Sequence, residues 1–121
     1  MDNSTDNTTT YEITKLAEKW CEYINLIYHK DRDLKFNIWV EWKYGKKPTY
    51  RSYHQGFIGG IFEGEDRETI EEAEKDLLQN IKTMISDQKM VAEEVLANPA
   101  NYEEELVKQA KQYDDIFAGT V

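Results

Sequence analysis

The sequence has little of what cross-links a chain or anchors it in a membrane. Cys21 is its one cysteine, which excludes an internal disulfide and any metal cluster that draws several cysteines from one chain. No apolar run approaches the ~20 residues that a membrane span needs, and no basic-then-apolar leader opens the chain. These absences predict an intracellular, cytoplasmic protein with no membrane partner.

Motifs for phosphate binding or catalysis are also missing. The glycines between residues 56 and 64 match neither a P-loop nor a dinucleotide fingerprint, because acids rather than Lys-Ser/Thr follow them. His54 and Cys21 stand in no catalytic motif. We therefore expect a protein that is not an enzyme and holds no metal or cofactor. A hydrolase with His54 as its general base is the alternative, although no residue spacing supports it.

The 121 residues are 40% hydrophobic and 32% charged, a composition typical of one globular domain. Residues 1–10 have no apolar residue after Met1 and no periodicity, which predicts a flexible leader before a single domain over residues 11–119. Thr9 and Glu12 have capping-box spacing and open an amphipathic helix that ends near residue 29.

Residues 34–44 change to the two-residue period of a strand. A turn at 45–48, a returning strand at 49–55 and a short third strand at 57–62 follow. In the first strand we expect one face to pack under the helices, namely Phe36, Ile38, Val40, Trp42 and Tyr44. Trp39 then shares the opposite face with Lys35, Asn37, Glu41 and Lys43, and either lies exposed or is covered by the last helix.

The second half of the chain reads as helical. Asp66 is the predicted N-cap of a helix that runs to about residue 86, or to 97 if Ser86-Asp87 does not break it. Asn98-Pro99 stops it, and a last helix follows with Tyr102, Leu106, Ala110, Tyr113 and Phe117 on one side. The fold class is thus α+β: an N-terminal helix, a three-stranded antiparallel meander, and two or three C-terminal helices packed on the sheet.

The αβββα order over about residues 11–86, with a glycine-rich strand before the second helix, resembles the topology of double-stranded RNA-binding domains. Those domains hold phosphates with lysines at the start of the second helix. Here that position is acidic, with Glu65, Asp66 and Glu68 around Arg67. The resemblance therefore covers topology, and it implies no nucleic-acid-binding residue in this chain.

Charge is divided along the sequence. The net charge is −9, yet residues 1–50 hold 8 acids and 8 bases, whereas residues 63–121 hold 16 acids and 6 bases. Acids on helices display negative charge rigidly, which suits a partner with a basic surface. The residues that we expect to form this acidic face are Glu65, Asp66, Glu68, Glu71, Glu72 and Glu74. A solvated helix surface with no partner is the simpler alternative.

Aromatic and basic residues alternate in the sheet section, a pattern found where sheets bind single-stranded nucleic acid. The residues of this second candidate surface are Trp39, Lys35, Lys43, Lys46, Lys47, Arg51 and Tyr53. The function that we expect is that of a small acidic inhibitor or binding protein, of the type that phages and mobile elements encode. It would dock on a basic, nucleic-acid-handling protein, with its acidic helices imitating the charge of phosphates. A sheet that binds nucleic acid or a nucleotide, a homodimer through the sheet aromatics, and a structural adaptor are the alternatives.

Overall fold

The computed structural model describes residues 4–28, 35–56 and 60–119. Within these residues, three α-helices and three strands follow one another in the order α1-β1-β2-β3-α2-α3. Their bounds are α1 Ser4–Tyr28, β1 Phe36–Glu41, β2 Thr49–Gly56, β3 Gly60–Glu63, α2 Ile70–Ala97 and α3 Glu104–Phe117, with one 3₁₀ turn at Pro99–Asn101. The predicted α+β class is confirmed: an N-terminal helix precedes an antiparallel sheet, and helices follow it.

α1 begins at Ser4, earlier than the start predicted at Thr9, so residues 4–10 of the predicted leader have helical backbone. Ser, Thr and Asn have only middling helix propensity, and no apolar period marks this stretch. Once packing of Leu16 and Trp20 fixes the later turns, adding residues to the N-terminal end costs little, because the nucleus already exists. Residues 1–3 lie outside the described residues.

The core lies between the helices. Trp20, Tyr23 and Ile24 of α1 are buried against apolar residues of α2 and α3. Tyr23 meets Tyr113 edge-on at a ring-centroid distance of 5.3 Å, a favoured aromatic geometry. The Tyr113 hydroxyl donates a 2.6 Å hydrogen bond to the backbone carbonyl of Ile85, which satisfies this buried polar group.

The C-terminal helices do not all pack on the sheet, contrary to the prediction. α2 is one helix from Ile70 to Ala97 and lies against β1 and β2, whereas the main contacts of α3 are with α1 and α2. The aromatic side chains of α3, Tyr113 and Phe117, pack against Trp20 and Tyr23, and this aromatic cluster holds α3 on the helices. α2 continues through Ser86-Asp87 because both side chains point to solvent.

The sheet is antiparallel in the order β1-β2-β3. Trp39 lies opposite Arg51, and Tyr53 lies between Asn37 of β1 and Glu63 of β3. The strand predicted at 57–62 is observed as β3, Gly60–Glu63, and residues 57–59 lie outside the described residues. The face toward the helices carries Ser52 and His54, both fully buried.

The predicted inner face of the first strand is only partly correct. Phe36 and Ile38 pack against the core, but Val40 is 37% exposed, Trp42 73% exposed and Tyr44 fully exposed. For Trp42 and Tyr44 the reason is that β1 ends at Glu41, so strand alternation no longer governs the residues after it. Trp42 and Tyr44 lie in the connection between β1 and β2, and its turn sets their direction. In that turn Gly45 has φ +76° and Lys46 N donates to the Lys43 carbonyl at 3.0 Å.

The N-cap of α2 is Thr69, not the predicted Asp66. The Thr69 hydroxyl accepts from Glu72 N at 3.2 Å and donates to the Glu72 carboxylate at 3.0 Å. The helix does not start earlier because Arg67 is held extended by two backbone hydrogen bonds with Tyr50, of 2.7 and 2.8 Å. Asp66 is thereby left free to turn toward the sheet.

Candidate functional site

The face of the sheet away from the helices, called here the outer face, is the candidate site. Strand side chains alternate, and Ser52, His54, Phe36 and Ile38 point to the helices, so their neighbours point outward. The residues of the outer face are Asn37, Trp39 and Glu41 from β1, Thr49, Arg51 and Tyr53 from β2, and Glu63 from β3.

Trp39 is the large apolar side chain of β1 on the outer face. It remains 50% exposed, so the last helix does not cover it. Its ring stacks on Tyr53 with a centroid distance of 4.7 Å and an interplanar angle of 16°. The stack fixes the orientation of the indole without burying it. A partner that binds Trp39 therefore orders little further side-chain motion.

Arg51 lies beside Trp39 and is bound by two carboxylates. Its Nε donates to Asp66 Oδ1 at 2.9 Å, and its Nη1 donates to Glu63 Oε1 at 3.3 Å. The hydrogen bond that Arg51 donates to Asp66, followed by the negative charge of Asp66, raises the pKa of Arg51. The structure thus joins a member of the predicted basic surface to a member of the predicted acidic face, and two acids more than neutralise one guanidinium.

A shallow groove of about 430 Å³ lies beside Trp39 and Arg51. It is lined by Trp39, Val40, Glu41, Thr49, Arg51 and Asp66. An aromatic face beside a carboxylate attracts a cationic side chain, through cation–π attraction to the ring and an ion pair with the acid. The groove therefore has the chemistry to accept a lysine or arginine from another molecule.

The lysines of the predicted basic surface do not lie over this groove. Lys35 precedes β1, whereas Lys43, Lys46 and Lys47 lie in the turn at the other end of the strand, and all four are exposed. Lys43 Nζ approaches Glu41 at 3.9 Å. The structure thus places Trp39, Arg51 and Tyr53 together on the outer face and leaves the lysines at its two ends.

The predicted acidic face is divided. Glu65 and Glu68 lie exposed in the loop before α2, and Glu71 lies exposed in its first turn. Each residue rotates a helix by about 100°, so Glu71 and the half-buried Glu74 take one flank of α2 and Glu72 takes the other. Asp66 binds Arg51 and Glu72 binds Thr69, so these two carboxylates have structural partners.

A second arginine lies within this acidic region. Arg67 donates to both oxygens of Asp76, Nε to Oδ2 at 2.7 Å and Nη2 to Oδ1 at 3.0 Å. The bond to Asp76 first, and then the charges of Glu65 and Glu72, raise the pKa of Arg67. This two-bond ion pair ties the loop to α2 and so holds Glu65 and Glu68 at the rim of the sheet.

Thr49 was missed from the sequence, and Glu63, one of the acids between residues 63 and 76, was not expected beside Arg51. Glu63 stands at the end of β3, opposite Tyr53, and Thr49 opens β2 opposite Glu41. A signal for Glu63 exists: in a meander, an acid at the end of the third strand lies near an outward base of the second. That signal becomes readable only when the register of β3 is known.

His54 is buried completely on the inner face, and the centroid of its ring lies 5.4 Å from that of the Phe36 ring. No part of the ring is accessible to a substrate. Burial disfavours the charged imidazolium and lowers the pKa of His54 below its ordinary 6.5.

The free energy of unfolding should therefore fall as the pH drops below 6.5. The unfolded chain binds a proton at His54 in that range and the folded chain does not, so stability is full above pH 6.5 and is lost below it, by at most about 1.4 kcal/mol per pH unit. Urea titrations from pH 7 to pH 5 measure the effect, and His54→Leu should flatten the slope. An equal slope in both proteins would contradict this assignment.

No described helix is long and apolar enough to cross a membrane. No family model matches this chain, and no curated protein or solved structure matches it either, so its function is inferred from the arrangement of its own side chains.

Proposed function

We propose that this protein is a non-catalytic binding protein that docks on a basic surface of another protein. The contact surface is the outer face of the sheet together with the acidic loop at its rim. One observation carries the proposal: Trp39 is half-exposed, held in place by Tyr53, and set in a groove beside the carboxylates of Glu41 and Asp66. Exposed tryptophans of this kind are enriched among the residues that dominate binding energy at protein interfaces.

Charge favours a basic protein over nucleic acid as the partner on this face. Arg51, the base nearest Trp39, already donates to Asp66 and Glu63, so a phosphate would have to displace two carboxylates to reach it. Those carboxylates and Glu41 would also repel a phosphate backbone. A lysine or arginine meets no such opposition, since it adds a cation where acids outnumber bases.

The partner class that we propose is a protein that handles nucleic acid, because such proteins display basic surfaces evolved for phosphates. The exposed carboxylates of Glu65, Glu68 and Glu71 would occupy part of that surface and keep nucleic acid away from it. The protein would then act as an inhibitor or a regulator of its partner. Complementary charge would also speed the encounter between the two.

A second candidate function rests on the β1–β2 turn. Trp42 and Tyr44 are exposed there beside Lys43, Lys46 and Lys47. Bases of single-stranded nucleic acid stack on such rings while lysines neutralise phosphates. In that case labelled single-stranded RNA or DNA should bind in a strongly salt-dependent manner, and Trp42→Ala should weaken binding more than Trp39→Ala does.

The acidic rim is tested by reversing its charge without disturbing the fold. The triple variant Glu65→Lys, Glu68→Lys and Glu71→Lys changes three exposed residues and leaves the Asp66 and Glu72 contacts intact. A protein captured from nuclease-treated lysate by the wild type is identified, purified and titrated against both proteins. We expect the variant to bind at least tenfold more weakly, since three attractive pairs become repulsive.

The matched control reverses three exposed acids on the helical side, Asp87→Lys, Asp114→Lys and Asp115→Lys, with the same change in net charge. Its affinity for the partner should lie within about twofold of the wild-type affinity. A difference of that size comes from long-range charge, which salt screens. Equal affinity of the rim variant and the control would contradict the proposal. Capture that disappears after nuclease treatment would favour the nucleic-acid candidate instead.

A further inference from the structure

β1 is an edge strand, and its charges lie at its ends rather than along its middle. In the part of the chain that the structure describes, β1 pairs with β2 alone, which leaves its other side without a neighbouring strand. Between Phe36 and Glu41 there is no proline, glycine or lysine to discourage a further strand. Val40 is 37% exposed and Trp39 50% exposed at this edge, so apolar surface accompanies the backbone of the edge strand.

We infer that two copies of this protein pair antiparallel through β1, with Ile38 on the two-fold axis, and form one continuous sheet across the dimer. A two-fold interface uses the same patch on both copies, so the strand must be complementary to itself when read backwards. β1 meets this requirement in one register, and the charges of its flanking residues select that register.

With Ile38 opposite Ile38 of the second copy, Phe36 lies opposite Val40 and both stay on the inner face. On the outer face Asn37 lies opposite Trp39. Lys35 then lies opposite Glu41, and the symmetry makes two such ion pairs, one at each end of the interface. Both side chains are exposed in the single chain and so can reach across.

Neighbouring registers lose this complementarity. A shift of one residue would place inner side chains opposite outer ones, which sheet alternation disfavours. A shift of two residues that centres the axis on Trp39 would set Lys35 opposite Lys43, and like charges directly opposite destabilise a strand pair. A shift of two residues the other way would take Lys35 away from Glu41.

The pairing uses backbone groups and the inner side chains of β1, so it leaves the outer face open. The two Trp39–Tyr53 stacks would lie on the same side of the joined sheet, one from each copy. This inference does not rest on the proposed function, since the mass of the particle reports it whether or not a partner binds.

The test is light scattering after size-exclusion chromatography, over a concentration series at low salt. The wild type should have twice the chain mass of 14.3 kDa at high concentration. Lys35→Glu and Glu41→Lys should each raise the dimer dissociation constant about tenfold, because both symmetry-related pairs become repulsive. Circular dichroism should show an unchanged fold for both, since the two positions are exposed.

Charge reversal at both positions restores opposite charges, so Lys35→Glu combined with Glu41→Lys should dimerise like the wild type. Mixing the two single variants should yield a heterodimer, since each Glu then faces a Lys of the other chain. A wild-type protein that stays monomeric at about 200 µM would overturn the inference, as would a dimer that none of these variants affects.

Discussion

Replacing Trp39 with alanine should weaken binding to the protein partner by about 30-fold or more, the largest effect on binding that we expect from one substitution. Central aromatic anchors at interfaces typically cost about 2 kcal/mol or more when truncated. Trp39 fits that description because the Tyr53 stack holds it in place while half of its surface stays exposed. Isothermal titration with the purified partner measures the change.

Tyr11→Ala is the matched control for this experiment. Tyr11 is a large aromatic residue with 62% exposure on α1, away from the sheet, and its loss should leave affinity unchanged. Urea titration of the Trp39→Ala protein separates lost contact from lost fold, since removing the stack costs the sheet about 1 kcal/mol. Wild-type affinity in a folded Trp39→Ala protein would exclude the outer face as the docking surface.

Replacing Gly64 with alanine should lower the free energy of unfolding by about 1–3 kcal/mol, the typical cost of overpacking. A Cβ on Gly64 would collide with the hydroxyl of Ser52 and come within 3.2 Å of Asp76 Cβ. The backbone cannot easily retreat, because Gly64 N donates to the Ser52 carbonyl at 2.9 Å and the Arg67–Tyr50 bridge follows three residues later.

Ser52→Ala provides the rescue. The Ser52 hydroxyl is buried and has no hydrogen-bond partner among the described residues, so removing it alone should change stability little. In the double variant the new methyl group of residue 64 gains the space that the hydroxyl leaves. We expect the double variant to recover most of the free energy of unfolding that Gly64→Ala loses. Urea titration of the wild type, the two single variants and the double variant measures this. If the two changes in the free energy of unfolding simply add, the collision with the Ser52 hydroxyl is not the cause of the loss.

The helices were predictable because their signals are local. The apolar residues of α1 from Leu16 to Ile24 recur at helical spacing, and the period of burial in α2 is as regular. Boundaries were less predictable. Thr69 rather than Asp66 caps α2 because a backbone bridge between Arg67 and Tyr50 holds the preceding loop extended, and that bridge joins residues 17 apart in sequence.

Most members of the candidate site were predictable, but their arrangement was not. Alternation in β1 correctly separated Trp39 from Phe36 and Ile38. The same alternation failed for Trp42 and Tyr44, since β1 stops at Glu41 and a turn follows its own geometry. Whether a side chain at a strand end is covered depends on where the packed helix ends, which strand periodicity does not encode.

By itself the sequence determined the fold class, the amphipathic helices, and the presence of an aromatic residue among polar ones on one face of a strand. Tertiary structure alone decided that α3 packs on helices, so that Trp39 remains exposed. It also decided that Arg51 binds Asp66 and Glu63, which unites two surfaces that appear separate along the chain. The physical reason is range: helical periodicity acts over a few residues, whereas ion pairs and layer packing depend on which distant segments the fold makes neighbours.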